Sequence, residues 1–378
     1  MKKITFGIIL LVISQSTFSQ WERKSKLGVS TGYESNVFLN PSLLIVEGEE
    51  IGRDELWQSG TFQKLFLNTS FVYDTLLYRL KIKANGSLSL YQTEVEANRH
   101  TYDLGFAYRR KIGKRKYVEI APEYNRRQRD GVNEADAVLR TPFTFRQWVI
   151  PLHFDYYLGA RSWLKTQVGY LLKDYDRLEG EELKYSSPFA QIALSKKWRG
   201  VLTTKKLTVT ASNQWRTYTD IELSSEANED PVFENEERQW NYRRLDTEFE
   251  LIDENDKYRV LFGIYHLRRT DVDGPNGYSQ ISPAVQVKYN MARLTLDAEF
   301  KYSLRKFSEL SPGRDNDTLL KYNYVRAGLG ASFNVKDNAT VFLKGKFVNR
   351  ESNSPNLEAI GFRDYFTGFV ELGTVFKF

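Results

Sequence analysis

The chain of 378 residues has no cysteine, two methionines and three histidines. Without cysteine there is no disulfide, no thiolate metal site, no catalytic thiol and no lipid-accepting Cys behind a leader. His100, His153 and His266 stand far apart, and no HExxH, GxSxG, CxxC or glycine-rich phosphate loop occurs. Convincing amphipathic helices, with apolar residues three and four apart, are missing too. So is any long apolar run beyond the first twenty residues, and the mean hydropathy is −0.51. Charge is not one-sided: 54 Lys and Arg interleave with 48 Asp and Glu, which leaves no patch for nucleic acid. There is no internal repeat, low-complexity segment or proline-rich linker.

What the chain does have is alternation. From residue 292 to 305, Leu294, Leu296, Ala298, Phe300, Tyr302 and Leu304 take every second position. Arg293, Thr295, Asp297, Glu299, Lys301, Ser303 and Arg305 fill the others. A strand sends successive side chains to opposite faces, so this segment has one apolar and one polar face. Tyr78, Leu80, Ile82, Ala84, Leu88 and Leu90 oppose Arg79, Lys81, Lys83, Asn85, Ser87 and Ser89 in the same way. Trp148, Ile150, Leu152, Phe154 and Tyr156 oppose Gln147, His153 and Asp155. Half of every such strand is polar, which is why hydropathy averages to a soluble value. The aromatic content, 14%, suits strands and girdles at membrane interfaces.

About sixteen strand candidates, within a range of roughly fourteen to eighteen, run through residues 21–378 as a single domain. Their connections alternate in length. Long polar ones span 36–60, 93–100, 126–142, 174–182, 220–236, 271–277, 308–319 and 350–361. Short ones lie near 74–75, 113–114, 159–160, 253–256, 290–291 and 336–338, with a slightly longer one at 199–204. Outer-membrane barrels have short periplasmic turns and longer external loops, whereas a soluble sandwich has no reason to alternate loop lengths throughout. The predicted fold is all-β: a transmembrane antiparallel β-barrel, wide enough at sixteen strands for a water channel.

Residues 1–20 read as a signal peptide. Lys2 and Lys3 precede a short apolar run from Ile4 to Ile13, and Thr17-Phe18-Ser19 offers a cleavage point near Gln20. At the other end the chain closes on Leu372, Phe376 and Phe378, apolar residues in dyad spacing ending on an aromatic one. This resembles the last strand of bacterial outer-membrane β-barrel proteins. The resemblance implies that Phe376 and Phe378 serve as the recognition signal for the barrel-insertion machinery. It also implies residence in the outer membrane among its lipid and lipopolysaccharide, and an oligomer of identical chains is in keeping with porin-like barrels. Gly32-Tyr33-Glu34-Ser35-Asn36-Val37 is similar to the first strand of porin-like barrels linked to polysaccharide export. No plug domain precedes the first strand.

The candidate functional surface is the lumen wall. Inward parity selects Arg79, Lys81 and Lys83 on the third strand, and Asp246, Glu248 and Glu250 on the tenth. Asp297 and Glu299 on the thirteenth extend the acidic side, and Lys344 and Lys346 on the fifteenth the basic side. These ten are the expected pore-lining residues. Either they set a transverse field that weights ion selectivity, or they solvate the wall and pair with neighbouring strands. The expected function is a passive channel for small hydrophilic solutes. The alternatives are an export or assembly component for polysaccharide or surface protein, and a non-conducting surface-binding barrel. No catalytic residue, cofactor or metal site is expected. His266, on the lipid-facing parity, lacks an obvious Ser partner, and Asp271-Val272-Asp273-Gly274 lacks the remaining ligands of a calcium loop. Loop 36–60 carries an apolar stretch, Leu43-Leu44-Ile45-Val46, with Leu56-Trp57. It is open to an inward constriction, to rim packing or to a hairpin. Water in the lumen gives apolar side chains little reason to enter, which favours rim or hairpin. The acidic run at 220–237 is open to gathering divalent cations with lipopolysaccharide phosphates, but such a run is more often a solvated loop.

Overall fold

The structure, a computed structural model, describes residues 21–46, 48–129, 132–133, 141–142, 144–176, 183–219, 238–272, 274–311, 318–354 and 364–378. The leader and the acidic run at 220–237 lie outside the described residues. Sixteen strands close a barrel: β1 (Glu22–Glu34), β2 (Gly60–Asp74), β3 (Tyr78–Tyr91), β4 (Arg99–Gly113), β5 (Lys116–Ile120 continued by Glu123–Gln128), β6 (Phe145–Gly159), β7 (Ser162–Tyr175) and β8 (Leu183–Arg199). The second half is β9 (Thr203–Thr219), β10 (Arg238–Asp253), β11 (Tyr258–Asp271), β12 (Tyr278–Met291), β13 (Leu294–Phe307), β14 (Lys321–Lys336), β15 (Ala339–Ser352) and β16 (Tyr365–Lys377). The strand number matches the sequence expectation of about sixteen. The long and short connections alternate as the sequence indicates.

Consecutive strands pair antiparallel, and β16 returns to β1 from Lys26↔Lys377 to Glu34↔Phe369. The last residue takes part in this seam. Ser25 N donates to Phe378 O (3.1 Å), and Phe378 N donates to Ser25 O (2.9 Å). Closure leaves no free sheet edge, which a lipid surroundings requires of any spanning sheet.

Period-two patterning fixes which face is which. The exposed apolar side chains all share one parity per strand, among them Leu104, Ile150, Val168, Ile192, Ile264, Phe300 and Leu329. At the short-turn rim this outward face carries an aromatic row, Trp21–Tyr73–Tyr78–Tyr108, with ring centroids 5.5, 5.9 and 6.2 Å apart. Amphipathic rings of this kind suit a membrane interface. Through the middle of the strands, most inward positions are polar or small.

Prolines interrupt the ladder where the dyad pattern gave no warning. β5 breaks at Ala121-Pro122, yet Phe106 N still reaches Pro122 O (3.0 Å) and Ala121 N reaches Pro151 O (3.1 Å). The β8–β9 register skips Ser187 and Pro188, and the β12–β13 register skips Ser282 and Pro283. A proline has no N–H to give a neighbouring strand, so pairing opens locally and resumes in phase.

Candidate functional site

All ten sequence-selected charges face the barrel interior, since each shares its strand's parity opposite the exposed apolar set. Their partners divide them. Glu250 is buried and bound by Lys206 Nζ (3.5 Å) and by Arg259. Asp246 pairs with Arg244 (2.7 Å), and Glu248 accepts from Tyr265 Oη (3.1 Å). Arg79 lies 3.8 Å from Asp74. Lys81, Asp297 and Lys344 make no ion pair among the described residues and are exposed, with Lys344 Nζ lying 4.7 Å from the Phe342 ring.

Two pairs reach across an intervening strand. Lys83 on β3 meets Glu123 on β5 at 2.5 Å, and Gly105 of β4 lies in register between them. Glu299 on β13 meets Lys346 on β15 at 2.8 Å, over Gly328 of β14. A Cβ on Gly328 would stand 2.8 Å from Glu299 Oε1, so the missing side chain is what lets the two flanking charges converge. Sequence parity placed Lys83, Glu299 and Lys346 on the wall and did not single out Glu123. It could not show that a glycine on the strand between would let opposite signs neutralise locally.

Between Arg79, Lys81, Lys83, Arg109, Glu119 and His153 the wall forms a recess of about 430 Å³. Arg109 also pairs with Asp155 (2.9 Å) and lies over the Tyr117 ring at 4.4 Å.

Toward the long-loop rim the inner wall changes character, in a way the sequence did not reveal. Rings run in series from β7 to β10: Tyr175–Tyr185 (6.4 Å), Tyr185–Tyr218 (4.8 Å) and Tyr218–Trp240 (4.8 Å). A second series runs from β12 to β14: Tyr278–Phe307 (5.6 Å), Phe307–Tyr322 (5.5 Å) and Tyr322–Tyr324 (6.0 Å). Arg269 links them, lying 4.2 Å from the Trp240 ring and 4.4 Å from Tyr278. Lys173 sits over Phe145 (3.7 Å) and Arg216 over Tyr242 (4.2 Å). An aromatic at an inward position scores as apolar on either face, so parity counting passed over this collar.

Asp271 anchors the collar. It accepts from Arg238 Nε (3.2 Å) and Nη2 (2.5 Å), Trp240 Nε1 (3.0 Å) and Asn276 N (3.1 Å). Its oxygens are thus engaged by protein donors, which removes the first ligand of the calcium-like turn noticed in the sequence. Asp273 lies outside the described residues.

The loop after β1 is latched over the same rim. Leu43–Val46 pairs with Glu49–Gly52 as a small hairpin, one of the arrangements the sequence favours. Its base is held by side chains. Asn36 Nδ2 donates to Asn40 O (2.8 Å) and to Phe366 O (3.0 Å), and Trp57 Nε1 donates to Pro41 O (3.0 Å). These bonds fix Leu39 at φ 63°, a left-handed conformation unusual for leucine. Val37 packs with the inward-facing Phe62 and Tyr91, and Arg129 Nη2 donates to Val37 O (2.5 Å). Burial, then the nearby Arg99 cation, hold the Arg129 guanidinium below its usual range.

The histidines do not converge. His100 and His266 face outward, and His153 faces inward. His266 Nε2 lies 3.1 Å from Ser279 Oγ, a contact between β11 and β12 that sequence spacing did not suggest. Among the described residues no carboxylate bonds the other ring nitrogen. Among the described residues no cluster could hold a metal ion.

No family model and no curated protein matches the chain. Solved structures do match. OccAB3 of Acinetobacter baumannii is 9% identical over 94% of this chain and 100% of its own, with a TM-score of 0.53. OccAB2 of the same organism is 9% identical over 94% and 98%, with a TM-score of 0.51. The outer membrane protein OpdK of Pseudomonas aeruginosa is 11% identical over 94% and 98%, at 0.49. The shared feature is the fold, that of an outer-membrane β-barrel.

Proposed function

We propose that the protein is an outer-membrane channel for passive diffusion of small hydrophilic solutes. The observation that carries this reading is the state of Lys81, Asp297 and Lys344. All three point into a closed barrel, make no ion pair among the described residues, and remain exposed. Charges with no counter-charge stay exposed in an enclosed space only where water fills it, and the Phe342 ring 4.7 Å from Lys344 Nζ does not neutralise that charge. Exposed Gln191, Gln286 and Lys288 on the same inner face extend that wetted zone around the wall.

A gated conduit, the second reading, draws support from the latched loop at the rim. Purified protein in planar bilayers separates the two. Passive diffusion gives stable conductance steps from the intact chain, and Arg129→Gln, which loosens the latch, raises them modestly. Gating gives a quiet bilayer that conducts only in the Arg129→Gln variant. Silence in both would overturn the channel assignment.

A further inference from the structure

We infer that the outward face of β10–β14, at the long-loop rim, docks the phosphate groups of outer-leaflet lipid. One register row crosses these five strands: Arg243↔Arg268, Arg268↔Ser279, Ser279↔Lys306 and Lys306↔Lys321. All four cations are exposed, and none makes an ion pair among the described residues. Like charges directly opposite each other across a ladder repel. Here two such pairs, Arg243 with Arg268 and Lys306 with Lys321, stand in one row. Most other strand cations are met by a carboxylate or a ring, as at Lys83, Arg109, Arg216 and Lys346. Ser279 is engaged by His266 Nε2 (3.1 Å), but the four cations repel one another and meet no carboxylate among the described residues, which makes them complementary to an anion from outside.

Depth identifies that anion. Tyr258 and Tyr289, at the short-turn rim, lie ten positions along their strands from Arg268 and Ser279. A tilted transmembrane strand needs about 9–11 residues, so the row stands one bilayer away, at the outer headgroups. Directly below it, on three of the five strands, come Leu245, Ile281 and Leu304, outward and exposed, with His266 and Asn323 on the other two. An anion seated there continues into apolar chains lying on these residues, which a soluble anion lacks. Five strands at about 4.8 Å spacing present donors over roughly 19 Å, room for a headgroup with more than one phosphate. Arginine offers forked donors and lysine a compact charge, and both suit phosphate oxygens.

The test compares the full-length protein with Arg243→Gln/Arg268→Gln/Lys306→Gln/Lys321→Gln. Both are folded into phosphatidylcholine vesicles, with or without added bisphosphorylated lipid A or its dephosphorylated form, and urea unfolding is followed. In phosphatidylcholine alone the variant should equal or exceed the wild type, because repulsion has been removed. With bisphosphorylated lipid A the order should reverse, and the wild-type gain should shrink as ionic strength rises. Native mass spectrometry should find several-fold more phosphorylated lipid retained by the wild type. Lys81→Gln/Lys288→Gln, which removes inner-wall charge, should keep the full wild-type gain in urea resistance from bisphosphorylated lipid A. An equal gain in both proteins, or a gain that survives dephosphorylation, would overturn the inference. So would a variant already weaker in phosphatidylcholine, since that places the partner within the protein.

Discussion

Ile264→Arg is expected to prevent stable insertion, whereas Gln286→Arg on the neighbouring strand leaves it nearly unchanged. Ile264 is outward on β11 and 55% exposed, midway between Tyr258 and the rim. A charge there faces hydrocarbon, at a cost of roughly 2–4 kcal/mol for arginine near the midplane. That is a large share of the ~5–15 kcal/mol by which a typical domain is stable. Gln286 lies one strand away, opposite Leu261, on the inward parity and exposed. Arginine at that position would enter water. Folding yield and urea midpoint in vesicles measure both substitutions, and equal penalties would mean that the two faces have been assigned wrongly.

Asp271→Leu should be the most damaging change at the collar. Its carboxylate is fully buried beside Arg238, whose side chain is 10% exposed. Removing it strands the guanidinium and orphans Trp240 Nε1 and Asn276 N. Breaking a buried pair costs on the order of 3–5 kcal/mol. Arg238→Met should cost less, because Asp271 keeps two other donors, both neutral. The double variant should recover part of the loss, since two apolar side chains leave no uncompensated charge. Thermal unfolding of the three proteins checks the order, and a double variant as weak as the sum of the singles would contradict it.

The barrel was legible in the sequence because one physical rule, lipid outside and water inside, acts on every second residue of β1–β16. Loop alternation then supplied phase. The site was legible only in part. Parity placed Lys81, Asp297 and Lys344 on the wall, but the neutralisation of Lys83 and Lys346 depends on which glycine stands between which strands. That is register across three strands, invisible before pairing is known. The collar was hidden for another reason: Tyr175, Tyr218, Trp240 and Tyr322 are apolar enough to pass as lipid-facing on either parity. The rim cations Arg268 and Lys306 look like solvated charges singly and become a row only when five strands are aligned. The latch between Arg129 and Val37 joins positions 92 residues apart in the chain.

The absence of native cysteine permits the most direct test of a wet interior behind an apolar exterior. Single replacements at Thr295, Leu296, Asp297, Ala298, Glu299 and Phe300 by cysteine walk along β13 through the membrane. In lipid vesicles a water-soluble maleimide should modify the replacements of Thr295, Asp297 and Glu299 and spare those of Leu296, Ala298 and Phe300. Labelling that ignores parity, or that fails at all six positions, would contradict a water-filled barrel.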